Sequence, residues 1–558
     1  MTVMTDDARY EAMATRDPRF DGVFFVAVST TGIYCRPICP ARTPGRARCS
    51  FYETPVQAEA AGYRACFRCR PELAPGNAEV DAVDQLVAAA AHRIAEGALN
   101  EASVDELAAE LGVSARHLRR ATEARLGVSP VALAQSRRLG LAKQLLQDTA
   151  LSLTEIAFAA GFGSVRRFNA AFVEVMGSAP SRLRRAHAPE AAAGDAAAVL
   201  TLRLDYRPPY EWAHVLRFLG ARAIPGVEAV DGDAYRRVVR EAGAVGVICV
   251  RRAAGRPALS LAVSPSLVPV LMPLVARVRR MFDLDARPDR IARVLGRDRT
   301  LAPLVDARPG LRVPGAIDSF EMAVRALLGQ QVSVAAATTL AGRFAAALGE
   351  PYAGGERLTH RFPTAREVAA AGPEAIARIG LPAARARAVH AVARAVADGA
   401  VRLDGVRELE RFVADLVALP GVGPWTAHYL AMRALHLPDA FPAADLGVRK
   451  ALVARAGAEL PSAREVEQRA EAWRPFRAYA AIHLWTSLGA ADDDDDNDDL
   501  DHDDDRLPTR AAAPRRGPRG ADRRVPAGAD RARGARGAHA GARARGRAAR
   551  RVLRRPAP

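Results

Sequence analysis

The sequence predicts a multidomain, mostly α-helical chain. A small cysteine-bearing unit leads, followed by paired helix-turn-helix motifs, a small mixed α/β-sheet domain, a helical body and a disordered tail. Three observations carry this. The 558 residues are too many for one core, so three to five domains are expected. Five of the six cysteines, Cys35, Cys39, Cys49, Cys66 and Cys69, crowd the first stretch, with Cys249 apart. From Asp81 onward apolar residues recur at three- and four-residue spacing, broken by strand-like alternation only after Val199.

Composition narrows the partners. Hydrophobic residues make up 49% of the chain, enough for several cores. The net charge is +17 and the isoelectric point is about 10.4, which points to a polyanion, most often nucleic acid. Lysine occurs only at Lys143 and Lys450, a bias towards arginine that fits GC-rich coding. Met1 to Arg19 is polar and charged, so no signal peptide is expected. No stretch approaches the roughly 20 apolar residues of a membrane span. Clustered cysteines in such a chain read as metal ligands or chemistry rather than disulfides.

The first element is the cysteine unit. "CRPIC" (Cys35 to Cys39) and "CFRC" (Cys66 to Cys69) are two short pairs about thirty residues apart. Two such pairs are what a tetrahedral zinc site needs, each supplying two thiolates. Cys49 stands outside them as a small core residue. Arg36, Arg42, Arg46 and Arg48 crowd the first pair, and Arg64, Arg68 and Arg70 the second. Guanidinium groups favour thiolates and attract phosphate. A zinc-bound thiolate remains nucleophilic at neutral pH and could accept an alkyl group without a separate base. A purely structural zinc finger stays open on this pattern alone.

The stretch "FFVAVSTTGIYCRPICPAR…FYETPVQAEAAGYRACFRCRPE" resembles the N-terminal domain of the Ada family of alkylation-response proteins, over about residues 8 to 78. The resemblance implies a small zinc-bound α+β domain with Cys35, Cys39, Cys66 and Cys69 as ligands. It implies that Cys35 takes a methyl group irreversibly from a DNA methyl phosphotriester. Thr31 and Arg42 fall where the family contacts the DNA backbone. Methylating Cys35 removes one negative charge from a surface facing phosphates, so DNA affinity should rise.

Next, "SVDELAAELGVSARHLRRATEARLGVSP" reads as helix, turn at Gly112, cap at Ser114 and second helix. "SLTEIAFAAGFGSVRRFNAAFVEVMGSAPSRLRR" repeats the plan, with Gly161 in the turn and Ser164 as cap. The tandem resembles the AraC-type DNA-binding domain. Recognition helices are predicted near Ala115–Ala121 and Val165–Phe172, placing Arg116, His117, Arg119, Arg166 and Arg167 to reach bases or phosphates.

After a linker ("APEAAAGDAAA", Ala188 to Ala198), "VLTLRLDY", "VGVICV" and "LSLAVS" alternate like strands, with helices expected between them. From about Pro288 to Gly489 helix follows helix. "LPGVGPWTAHYLAMRA" matches a helix-hairpin-helix. Gly421 and Gly423 lack side chains, so backbone N–H groups can approach a DNA phosphate, often with a monovalent cation. "FPAADLGVRKAL" follows, with Asp445 as the carboxylate that pairs with such a hairpin in the helix-hairpin-helix glycosylase superfamily. "RPPYEW", "RPGLRVPGAIDSFEMAVRALLGQQVSVAAA" and "WRPFRAYAAIHLW" resemble the AlkA type of 3-methyladenine DNA glycosylase, from about Val199 to Gly489.

That resemblance implies a reaction type. Relatives that also cleave the strand carry a Schiff-base lysine after the hairpin; Trp425 stands there here, which implies a monofunctional enzyme with water as acceptor. Phe218, Trp425, Tyr429 and Trp485 match the family's pocket positions. An electron-rich cage attracts a cationic N-alkylpurine, and flipping costs least for damaged bases. Asp445 would stabilise an oxocarbenium-like sugar and orient water, although helix starts favour Asp in any case. Where some relatives present an apolar wedge, this chain has Gln331, which plugs by hydrogen bonding but stacks less well. No "PCHR" sequence occurs, so the O6-methylguanine transferase activity of longer Ada proteins is not expected.

Past Gly489, "DDDDDNDDLDHDDD" and an Arg/Gly/Ala/Pro stretch cannot bury a core. They are either a polyampholyte arm or the product of a reading frame slipped in the Asp tract, with the balance towards the second. The expected plan is therefore 1–78 methyl acceptor, 81–186 double helix-turn-helix, 187–198 linker, 199–287 sheet domain, 288–490 helix-hairpin-helix glycosylase body and 491–558 tail. The expected function is a cytoplasmic, nucleoid-associated bacterial response to DNA alkylation, with double-stranded DNA and RNA polymerase as partners and no membrane. The competing expectation is a transcription regulator whose glycosylase-like half binds damaged DNA without excision.

Overall fold

The computed structural model describes residues 4–76, 85–186, 199–353, 355, 357–404, 408–453 and 459–492. The linker 187–198 and all of the tail beyond 492 lie outside the described residues. No described helix is long and apolar enough to cross a membrane.

The N-terminal unit folds around a four-stranded sheet. Its strands are β1 (Phe25–Val28), β2 (Ile33–Cys35), β3 (Cys49–Tyr52) and β4 (Arg64–Ala65), in the order β3-β1-β2-β4. The β1–β2 pairing is antiparallel and β2–β4 is parallel, so the end of β2 lies beside the segment leading into Cys66. Cys49 is buried with Phe24 and Val26, a core residue as expected.

Both helix-turn-helix motifs form. The first pairs helices Val104–Glu110 and Ala115–Leu126, the second Leu153–Ala159 and Val165–Met176. Each opening helix begins with a reciprocal capping box, Ser103 with Glu106 and Ser152 with Glu155. Ser114 and Ser164 cap the second helices by accepting the N–H groups of His117 and Arg167, at 3.3 and 3.2 Å. The two motifs are joined by the long helix Pro130–Asp148.

The second sheet has five strands: β5 (Leu200–Asp205), β6 (Glu228–Asp231), β7 (Ala234–Glu241), β8 (Ala244–Arg252) and β9 (Ala258–Val263). Their order is β5-β9-β8-β7-β6, and every pairing is antiparallel. The three strands expected from alternation are β5, β8 and β9. The β6–β7 hairpin is additional, and a helix (Trp212–Gly220) lies only between β5 and β6. Helices between the later strands are absent because two-residue turns connect β6 to β7 and β7 to β8, too short for a crossover. The "DG" at Asp231–Gly232 is the hairpin signal that marked the missed pair.

Buried contact runs on between these segments. One cluster joins Phe25 and Tyr34 of the first sheet, Ile156 and Phe168 of the second helix-turn-helix, Leu202 and Tyr235 of the second sheet, and Trp212 of the helix between β5 and β6. A separate cluster fills the helical body around Phe320, Phe344, Phe412 and Trp473.

Buried charge reinforces the junctions. Arg36 is only 3% exposed. It grips both carboxylate oxygens of Asp21 and donates to Asp205 of β5 at 2.7 Å. Arg207, equally enclosed, reaches back to the carbonyls of Asp21, Pro75 and Gly76. Lys143, fully buried, donates to the Cys66 carbonyl and to Glu72, each at 2.8 Å. Removing one partner strands the others without water. Arg36→Met is therefore expected to destabilise the protein by about 3–5 kcal/mol, read as a lowered urea midpoint. A shift within experimental scatter would show that the junction contributes nothing.

Candidate functional site

The four sulfurs of Cys35, Cys39, Cys66 and Cys69 lie within 4.8 Å of one another. Each element delivers its ligand for a local reason: Cys35 ends β2, and Cys66 follows β4, the strand paired with it. Hydrogen bonding with Cys39 and Cys66 pushes the Cys35 thiol up from its ordinary range. Four such thiols ionise together only around a cation. A donor set of sulfur alone, at this mutual distance, fits tetrahedral zinc.

The sulfurs are not equivalent. Cys69 Sγ accepts the Arg36 N–H at 3.3 Å and Cys66 Sγ the Arg68 N–H at 3.4 Å. Hydrogen bonding with Cys35, helped by the Ala41 backbone N–H, lowers the Cys39 thiol from its ordinary range. Among the described residues no backbone N–H donates to Cys35 Sγ. A donated hydrogen bond stabilises a thiolate and lowers its nucleophilicity. Cys35 is also half-buried, whereas Cys66 and Cys69 are buried. It therefore carries the most available electron pair of the set.

The surrounding arginines divide. Arg42, Arg48 and Arg68 are exposed, as is Thr31 in the turn after β1. Arg36 and Arg70, expected from the sequence to attract phosphate, are otherwise engaged: Arg36 as above, and Arg70 in a bidentate pair with Asp148. Arg46 pairs with Asp7 and covers Phe51. Their role is adhesion between segments, because their carboxylate partners lie far off in sequence.

In the helix-turn-helix pair, Arg116, His117 and Arg119 project from the exposed face of one second helix and Arg166 and Arg167 from the other. Leu118 and Phe168 on the opposite faces are fully buried.

The carboxylate site is built at the helix Leu446–Ala451, which Asp445 caps. Asp445 Oδ1 accepts the Val448 N–H at 2.9 Å and Trp485 Nε1–H at 2.8 Å. Oδ2 accepts Trp425 Nε1–H at 2.8 Å. The cap and the aromatic site are thus one arrangement, and three donors orient a single carboxylate. Trp425 stacks on Tyr429 at 5.1 Å and 11° between planes, and Tyr429 meets Trp485 at 6.4 Å. Gly447 permits this, since a Cβ there would lie 3.1 Å from both Asp445 and the Trp485 ring.

Phe218 joins less directly. Its ring lies under two guanidinium groups, Arg222 at 4.0 Å and Arg433 at 4.7 Å, and Arg433 links it to Tyr429, whose hydroxyl it holds at 2.7 Å. Arg433 is 1% exposed, and burial pushes its pKa down to about 10. The sequence reading missed both arginines. Their signal was spacing: Arg222 follows Phe218 by four residues, and Trp425, Tyr429 and Arg433 recur at four on one helix face.

The hairpin lies between helices Leu409–Val417 and Pro424–Arg433. Gly421 has φ +77° and sits at an exposed apex, and a Cβ there would strike Ala388 at 2.5 Å. Gly423 caps the second helix without any side-chain bond, leaving its first N–H groups free for an anion. Gln331 is exposed with φ +56°, at the tip of the loop after helix Ser319–Leu328.

Comparison with known proteins places four families along the chain. Residues 8–72 match the metal binding domain of Ada, and residues 107–186 a helix-turn-helix domain. Residues 201–318 match the AlkA N-terminal domain, and residues 324–475 the HhH-GPD superfamily of base excision DNA repair proteins. The chain is 42% identical to a probable bifunctional transcriptional activator/DNA repair enzyme AlkA of Mycobacterium tuberculosis, over 86% of this chain and 96% of that one. It is 36% identical to DNA-3-methyladenine glycosylase 2 of Escherichia coli, over 52% of this chain and 98% of the relative. A 36% identity to the bifunctional transcriptional activator/DNA repair enzyme Ada of Escherichia coli covers 33% of this chain and 50% of that protein.

Proposed function

Because the chain belongs to the family of bifunctional AlkA-type transcriptional activator/DNA repair enzymes, we propose that it joins three responses to DNA alkylation. It takes methyl groups from DNA methyl phosphotriesters, activates transcription, and hydrolyses the N-glycosidic bond of alkylated purines such as 3-methyladenine. The observation that carries the excision reading is the Asp445 carboxylate held by Trp425, Trp485 and Val448 beside a stacked aromatic cage.

At the first site, Cys35, Cys39, Cys66 and Cys69 would hold zinc. Bound zinc keeps the sulfurs as thiolates at neutral pH. Cys35 Sγ attacks the methyl carbon of the triester. The carbon–oxygen bond breaks, its electron pair stays with the phosphate oxygen, and a thioether and a diester result. The charge lost from this surface raises affinity for DNA, which the exposed arginines of the helix-turn-helix pair then read. RNA polymerase is the partner such an activator requires.

At the second site, the damaged base unstacks and its C1′–N bond breaks, the electron pair leaving with the base. Asp445 faces the cation left on the sugar, and water adds at C1′ while its proton passes to solvent. Trp425 offers no amine, so no covalent sugar adduct forms with the protein. The hairpin glycines take the phosphate, with a monovalent cation. The chain works in the cytoplasm on nucleoid DNA.

One incubation tests both halves. Purified protein mixed with methylated duplex should release free 3-methyladenine and gain one methyl on the Cys35 peptide by mass spectrometry. Methyl uptake without base release would leave a sensor that binds lesions but does not excise them. Base release without methyl uptake would leave a structural zinc site.

A further inference from the structure

The residue before Gln331 has a connection that the excision chemistry does not use. Gln330 Nε2 donates to the carbonyl of Gly421 at 3.0 Å and to Thr426 Oγ1 at 3.2 Å. Gly421 is the exposed apex of the hairpin. Thr426 is 2% exposed, on the helix that carries Trp425 and Tyr429. One amide thus spans three parts: the loop tip, the phosphate-binding turn and the base of the aromatic cage.

The loop needs such an anchor. Its residues 331–333 are all exposed, including Val332 at 37%, and so is the first turn of the helix that follows, with Val334 at 43%. The Gln331 side chain makes no hydrogen bond among the described residues. Behind the loop, helix Ser319–Leu328 is locked to the second sheet, where Arg325 pairs with Glu228 and Glu321 meets Arg237. The short loop between this helix and the next, Val334–Leu348, is therefore rigid at both ends, and Gln330 is the residue that ties its tip to the hairpin.

Resting on the excision reading above, we infer that Gln330 is a positioning residue for base flipping. It fixes the plug loop against the hairpin, so that a tip pushed into the stack reacts against a turn already seated on phosphate. Losing both bonds lets the tip recoil, and the unstacked state loses its support.

The test compares one alkylated base in two settings, paired within a duplex and held in a single-stranded loop where it is already unstacked. Gln330→Met keeps the length and removes the donor. The ratio of single-turnover release rates, duplex over loop, should fall on the order of tenfold, with the thermal midpoint close to that of the parent. Gln330→Lys, which restores an N–H donor, should recover part of the ratio. Should the Met variant fail to fold, Thr426→Val removes one acceptor and should lower the same ratio by a smaller factor. An unchanged ratio, with both rates falling together or neither falling, overturns the proposal. Failure of the excision reading looks different: the parent protein then releases no base from either substrate.

Discussion

Asp445→Asn is expected to slow base release from alkylated duplex by about a thousandfold, the upper end of what one oriented electrostatic group supplies. Asparagine is neutral, so the sugar cation loses its counter-charge. Its amide also cannot satisfy the donors around it, because one of its two ends carries N–H groups while Trp425, Trp485 and Val448 all donate. Stability should change little by comparison, since asparagine is as good a helix cap as aspartate. That separation makes the variant informative: a thermal midpoint near the parent's, with release nearly abolished, assigns the carboxylate to chemistry. Quantifying free base by chromatography under single-turnover conditions is the measurement. Undiminished release would return Asp445 to a capping role and leave this half a lesion binder.

Cys35→Ser is expected to abolish methyl uptake outright. A serine hydroxyl is not ionised near neutral pH and lacks the polarisable pair of a thiolate. The neighbouring sulfurs should not substitute, because Cys69 and Cys66 each accept a backbone N–H and are buried, and hydrogen bonding already stabilises the Cys39 thiolate. Intact-mass analysis after exposure to methylated DNA reads the outcome directly. A methyl found on Cys39, Cys66 or Cys69 of the variant would show that hydrogen bonding does not select the acceptor. The fold should survive with weaker zinc retention, whereas stripping the metal from the parent forfeits a contribution of about 10 kcal/mol or more. The shared core of Phe25, Tyr34, Phe168 and Leu202 should carry that loss into the second sheet.

Much of the site was legible because its chemistry sits in short local patterns. Two cysteine pairs, two serine-capped turns and a Gly-Val-Gly-Pro hairpin each form within a few residues, where spacing alone dictates geometry. The β6–β7 hairpin was passed over although its "DG" turn was present, because alternation along "AYRRVVRE" is broken by adjacent arginines, one exposed and one buried. That buried one, Arg237, pairs with Glu228 and with Glu321 of a distant helix, so its polarity misreports its environment.

By itself the sequence determined the order of the domains and pointed to the groups proposed to do the chemistry. Only the tertiary structure decided which arginines remain free for DNA. Arg36 and Asp205 are 169 positions apart, and Arg207 and Asp21 are 186. It also decided that Asp445 serves as cap and carboxylate together, and that Gln330 joins loop to hairpin across 91 residues. Whether a charged or amide side chain faces water or a buried partner depends on segments distant in the chain, and no local pattern encodes that choice.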